Sequence, residues 1–193
     1  MSDDKVNKLI AGVRRARELN ADFVMLLDAD DLVSRRLVAH VLSHPEADGW
    51  FVKRGWRYEY GRGWIETLDG FNEVSSSCNV VARRWFSFPG DPERERDADT
   101  ALILQGHGQA VAAFAERGAT LRPIPFRAVI YTANGENMSI LMHEHLHGRR
   151  AQPRGNPVRR LVGRCRRTMS AWSKRRLCTS TLCREFALDL SIP

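Results

Sequence analysis

Three aspartates crowd into four positions directly after a compact apolar run: Phe23-Val24-Met25-Leu26-Leu27 leads into Asp28-Ala29-Asp30-Asp31. An apolar run of this length with so abrupt a polar end predicts a strand buried on both faces of an α/β sheet. In open α/β sheets ligands bind in the crevice outside the carboxyl ends of the strands, which is where these acids would stand. Gathered carboxylates repel one another unless a cation or hydrogen-bond donors offset them. A hard divalent ion, Mg²⁺ or Mn²⁺, is the natural partner, held by one or two carboxylates and by phosphate oxygens. The plainer alternative is a solvated acidic turn leading into the next helix. A calcium EF-hand is excluded, because the sixth and twelfth positions counted from Asp28 are Val33 and Ala39 instead of Gly and Glu.

The flanking segments fit a mixed α/β domain. Val6, Leu9, Ile10, Val13 and Leu19 recur at helical spacing behind Ser2, Asp3 and Asp4, with Asn20 as a stop. A second helix is expected from Ser34 to about His44, ended by Pro45. From Trp50 to Leu68 aromatic and β-branched residues, broken by glycines, predict a meander of two or three strands. A strand is expected near Cys78 to Ala82, a polar loop over 88–97, a helix from Ala98 to Arg117 capped by Gly118, and short strands around Leu121 and Val129 to Tyr131. With 193 residues, 43% of them hydrophobic, the chain can bury one core and is not disordered throughout. No apolar run approaches the roughly 20 residues needed to cross a bilayer, and the acidic start does not resemble a signal peptide.

The net charge of +7 is unevenly placed. Residues 148–193 hold twelve Lys or Arg against two acids, whereas residues 1–147 hold 18 against 21. This divides the chain into a domain over 1–147 and a basic amphipathic helical tail over 148–193. In the tail Val158, Leu161, Val162, Cys165, Met169 and Trp172 share one helical face, with Arg159, Arg160, Arg164, Arg166, Arg167, Lys174 and Arg175 largely elsewhere. Such a helix packs on its own domain or, through 157–177, contacts an anionic membrane; nucleic acid is a weaker expectation. The four cysteines form no CxxC pair and are expected as reduced thiols of a cytoplasmic protein. His143-Glu144-His145-Leu146-His147 matches the zinc-binding HExxH spacing but has no evident third ligand, and a polar surface helix is the expected reading. His107, between two glycines, reads as a loop residue.

Taken in order, several segments resemble a GT-A glycosyltransferase of family 2. They are Lys5-x-x-Lys8-Leu9 ahead of the Phe23–Asp31 segment, Ser77-Cys78-Asn79-Val80-Val81-Ala82-Arg83-Arg84, Asp97-Ala98-Asp99-Thr100-Ala101-Leu102, and Tyr131-Thr132-Ala133-Asn134-Gly135-Glu136-Asn137-Met138-Ser139. The resemblance covers about Lys5 to Ser139. It implies a partial GT-A mixed sheet flanked by helices, and a sugar transfer from a nucleotide-sugar donor to an acceptor hydroxyl. It implies a Mn²⁺ or Mg²⁺ ion at Asp30 with Asp28 beside it, Asp28 and Lys5 toward the donor, and Asp31 in support. Asp99, or Asp97 next to it, would be the base that takes the acceptor's proton. One of the late histidines would complete the metal site. The acceptor would be a glycan, lipid-linked or envelope molecule, met in the cytoplasm or at the inner face of the plasma membrane. The family's nucleotide-binding first portion precedes the Lys helix and has no counterpart here, so little transferase activity is expected of 1–193 alone.

Two other classes share some of these features. A haloacid-dehalogenase-like phosphatase would use Asp28 as nucleophile and Asp30 as acid/base, with Gly90-Asp91 and Asp97 imitating its later acidic motif. A non-catalytic remnant would bind membrane or nucleic acid through the tail.

Overall fold

A computed structural model of the chain describes residues 3–59, 63–86, 108–133 and 173–187. In chain order these form α1 (Asp3–Glu18), β1 (Phe23–Met25), β2 (Leu32–Val33), α2 (Arg36–Leu42), β3 (Gly49–Phe51), β4 (Arg54–Glu59), β5 (Trp64–Asp69), β6 (Asn79–Ala82), α3 (Ala110–Glu116), β7 (Leu121–Pro123), β8 (Val129–Ala133), β9 (Arg175–Leu177) and α4 (Ser180–Phe186). The fold is mixed α/β, with two mixed sheets and four helices among the described residues. None of these helices is long and apolar enough to cross a membrane.

One sheet has the order β1-β6-β3-β7, with β3 and β7 parallel and the other pairs antiparallel. The period-two alternation of its strands feeds two cores. Val24 and Val81, register partners, face Val13 of α1 and Phe114 of α3. Trp50 and Val80, also partners, face Leu37 and Val41 of α2. The second sheet has the order β2-β8-β4-β5-β9, with β8 and β4 parallel. Its Val129, Tyr131 and Ala133 share the α2 core, while Ile130, Tyr58 and Ile65 meet Phe186 of α4 on the other face. The layers therefore run α1 and α3, sheet, α2 core, sheet, α4.

Several expectations hold in detail. Asn20 takes a left-handed φ of +52°, and the N–H groups of Asn20 and Ala21 close the end of α1 on Arg17 and Ala16. Gly118 does the same for α3 at φ +91°. Ser34 accepts from the Arg36 N–H at 3.2 Å, although α2 is shorter than expected at both ends.

Others need correction. The apolar run 23–27 yields a three-residue strand instead of five. Among the described residues β1 is an edge strand with only Val24 buried, and Leu27 is 45% exposed. Leu19 falls past the end of α1 and is 64% exposed, so it is not part of that helix's apolar stripe. Arg175, expected on a helix, lies in β9, where it stacks on Trp64 at 3.9 Å and bonds Glu66 at 3.3 Å. Strand pairing places Arg175–Leu177, whereas Ser173 and Lys174 are helical and the rest of the expected tail helix, 157–172, lies outside the described residues.

Candidate functional site

The acidic turn is where the chain crosses from one sheet to the other, since β1 belongs to the first and β2 to the second. The Asp31 N–H donates to the Asp28 carbonyl at 3.1 Å, closing a four-residue β-turn with Ala29 and Asp30 at its corner. This backbone geometry sends the three carboxylates to different environments. Asp30, at the corner, is exposed; Asp28 is half-buried; Asp31 turns inward and is 6% exposed.

A buried carboxylate must find donors, and Asp31 finds them on two distant segments. Its Oδ1 accepts from the Thr132 N–H of β8 at 3.1 Å, and its Oδ2 from the Ser75 hydroxyl at 3.1 Å. Burial pushes the Asp31 carboxyl above the usual carboxylate range. The hydroxyl of Ser77, the Thr132 N–H and Ser75 act against that shift, and the nearby charge of Asp28 adds to it.

The serines arrive through packing. Gly55 of β4 has the Phe71 ring against its α-carbon, leaving no room for a side chain, and Phe71 is fully buried. That contact seats the 3-10 turn Phe71–Glu73, and the Ser75 N–H returns to the Phe71 carbonyl at 3.1 Å. The following serines then reach the acidic turn. The Ser77 hydroxyl accepts from the Asp28 N–H at 2.9 Å, and the Ser76 hydroxyl donates to Asp28 Oδ2. Ser75 in turn accepts from the Ser77 N–H at 3.1 Å.

Nothing in the sequence pattern marks Ser75, Ser76, Ser77 or Thr132 as partners of the acids; Ser77 and Thr132 enter the resemblance only as members of longer segments. The nearest signal was a run of three hydroxyl residues directly ahead of a predicted strand. A second missed link is at the far end of the chain. The Ser34 hydroxyl donates to Glu185 Oε1 of α4 at 2.6 Å, and the Arg35 N–H to the Glu185 carbonyl at 3.2 Å. The last described helix is thereby tied to the start of α2, a few residues past the acids.

Of the three acids of the turn, Asp30 is exposed and Asp28 half-buried, and the charge of Asp28 is felt at the buried Asp31. Lys5 falls on α1, but its side chain lies outside the described residues, as do Asp97, Asp99, His107 and His143 to His147. Among the described residues no three His, Cys, Asp or Glu side chains converge as a metal-holding group. What the described turn offers a cation is thus at most the Asp28 and Asp30 carboxylates, with other positions left to water or ligand oxygens, a habit typical of Mg²⁺. Comparison with protein-family models, curated proteins and solved structures gave no match.

Proposed function

We propose that this chain is a family-2-like glycosyltransferase domain of GT-A type, moving a sugar from a nucleotide-sugar donor to an acceptor hydroxyl. The observation that carries the reading is the division of labour within Asp28–Asp31. Asp31 is turned inward and bonded to Thr132 and Ser75, Asp28 is half-buried and bonded by Ser76, and Asp30 is exposed. Asp30 and Asp28 are the residues that would hold Mn²⁺ or Mg²⁺, and Lys5 would lie toward the donor. The ion, when bound, would offset the charge on the departing diphosphate. Asp99, or Asp97, would take the proton from the acceptor hydroxyl as its oxygen bonds the sugar's anomeric carbon and the bond to the diphosphate breaks. An acceptor in the envelope or on a lipid would suit a basic segment over 157–177 at an anionic membrane surface.

The test is calorimetric titration with nucleoside diphosphates, with and without Mn²⁺. Mn²⁺-dependent binding that disappears in Asp30→Ala is expected. Binding indifferent to both the ion and this substitution would end the proposal.

A further inference from the structure

β9 and α4 are joined through a short stretch with a cysteine at each end, Cys178 directly after the strand and Cys183 inside the helix. Both are free, half-buried thiols. The Cys178 N–H donates to the Gly63 carbonyl at 3.2 Å, next to the last pair of the β9–β5 ladder. Thr179 stays extended, and its side chain accepts from the Leu182 N–H at 3.3 Å, which caps the helix. The Thr179 carbonyl accepts from the Cys183 N–H at 2.9 Å. Cys178 thus precedes the cap and Cys183 is the fourth helical residue. These are the two positions whose side chains meet when a hydrophobic staple closes a helix start. The charge of Cys183 is felt at Cys178, as that proximity requires. We infer that Cys178 and Cys183 form a modification site, a thiol pair that a small-molecule disulfide converts to an intrachain disulfide locking the first turn of α4 to the end of β9. This role is independent of any chemistry at the acidic turn.

With oxidised glutathione as the disulfide, the exchange balances without a further reactant. The Cys183 thiolate attacks one glutathione sulfur, and the other glutathione leaves as a thiolate. The Cys178 thiolate then attacks the Cys183 sulfur of this mixed disulfide, forming the protein bond and releasing the second glutathione. Two electrons pass from the protein thiols to glutathione, and both thiol protons end on the released glutathione molecules. Burial first, then the charge of Cys183, push the Cys178 thiol above the ordinary thiol range. That disfavours Cys178 as the first attacker and suits it to the second step, which is intramolecular. The consequence is carried by α4. Its Phe186 is buried with Tyr58, Ile65 and Ile130, and its Glu185 carbonyl receives the Arg35 N–H ahead of α2. A covalent clasp on the first turn makes detachment of this helix harder, and so protects the Arg35 amide, whose bond breaks when α4 leaves.

Trypsin cuts after Arg176 and Arg184 and so releases both cysteines in one peptide, 177–184. The full chain, equilibrated with oxidised and reduced glutathione and then alkylated, should yield this peptide lighter by two hydrogen atoms and unalkylated. The folded chain should close the bond about tenfold more readily than the chain unfolded in urea. By linkage, oxidation should slow hydrogen exchange of the Arg35 amide by a similar factor. In Cys183→Ser, Cys178 should only take up a glutathione, and the Arg35 amide should not respond to the oxidant. Two glutathiones on the peptide, or two alkylated thiols in excess oxidised glutathione, would overturn the inference. Equal closure in the folded and unfolded chains would do the same, because the fold would then contribute nothing to the pairing. A disulfide that forms without slowing the Arg35 amide would show that α4 is not locked, and would sink the role assigned to the pair.

Discussion

β1 leads into the acidic turn, and β8 holds it through the Thr132 N–H. β1 comes from the purely apolar run 23–27, yet only its middle residue is buried. β8 reads Val-Ile-Tyr-Thr-Ala, with two polar-capable side chains, yet all five of its residues are buried. The difference lies in neighbours. β8 has β2 on one side, β4 on the other, the α2 core on one face and Phe186 on the other. β1 pairs with β6 alone among the described strands. Hydropathy of a short run measures what a strand could bury, and sheet order decides what it does bury.

The contrast can be broken most forcefully at Ile130, which is 0% exposed. Ile130→Ala should cost about 2–5 kcal/mol in urea unfolding, and Val24→Ala clearly less; equal losses would mean that β1 is as enclosed as β8. A middle-sized effect should come from acid. The His40 ring sits 5.5 Å from Trp50 and 5.6 Å from Phe126, where α2 covers the first sheet. Burial first, then His44 and Arg36, hold its pKa below the ordinary histidine value. The unfolded chain therefore takes up this proton at higher pH than the fold does. Stability is full above about pH 6.5 and declines as pH falls below it toward the folded value. The free energy of urea unfolding should fall between pH 7 and pH 5.5, and a fall of the same size in His40→Phe would remove His40 as the cause. The smallest effect sharpens the boundary of β1. Leu27→Ser should change stability by no more than about 0.5 kcal/mol, whereas a larger loss would restore Leu27 to the core.

Local signals were readable where the cause was local. The abrupt end of the apolar run marks the acidic turn, and Asn20 and Gly118 mark helix ends because few residues take positive φ without strain. The three-residue length of β1 was not readable, since nothing in Phe23–Leu27 tells which strands will flank it. Nor were the partners of the acids. Ser75 lies 44 residues from Asp31, and Thr132 lies 101 away. They meet only because Phe71 packs on Gly55 and β8 pairs with β2. Arg175 misled for a related reason. An Arg-rich segment looks like a solvated helix face until a strand with Trp64 and Glu66 is there to receive it.

The position of the acidic turn between the two sheets carries a mechanical consequence. Sliding one sheet past the other would drag Asp31 away from Thr132 or pull Asp28 off the serines, so the junction resists shear at the spot where carboxylates gather. An ion lodged there would act as a rivet, and its arrival should be felt as stiffening on both sides of the seam at once.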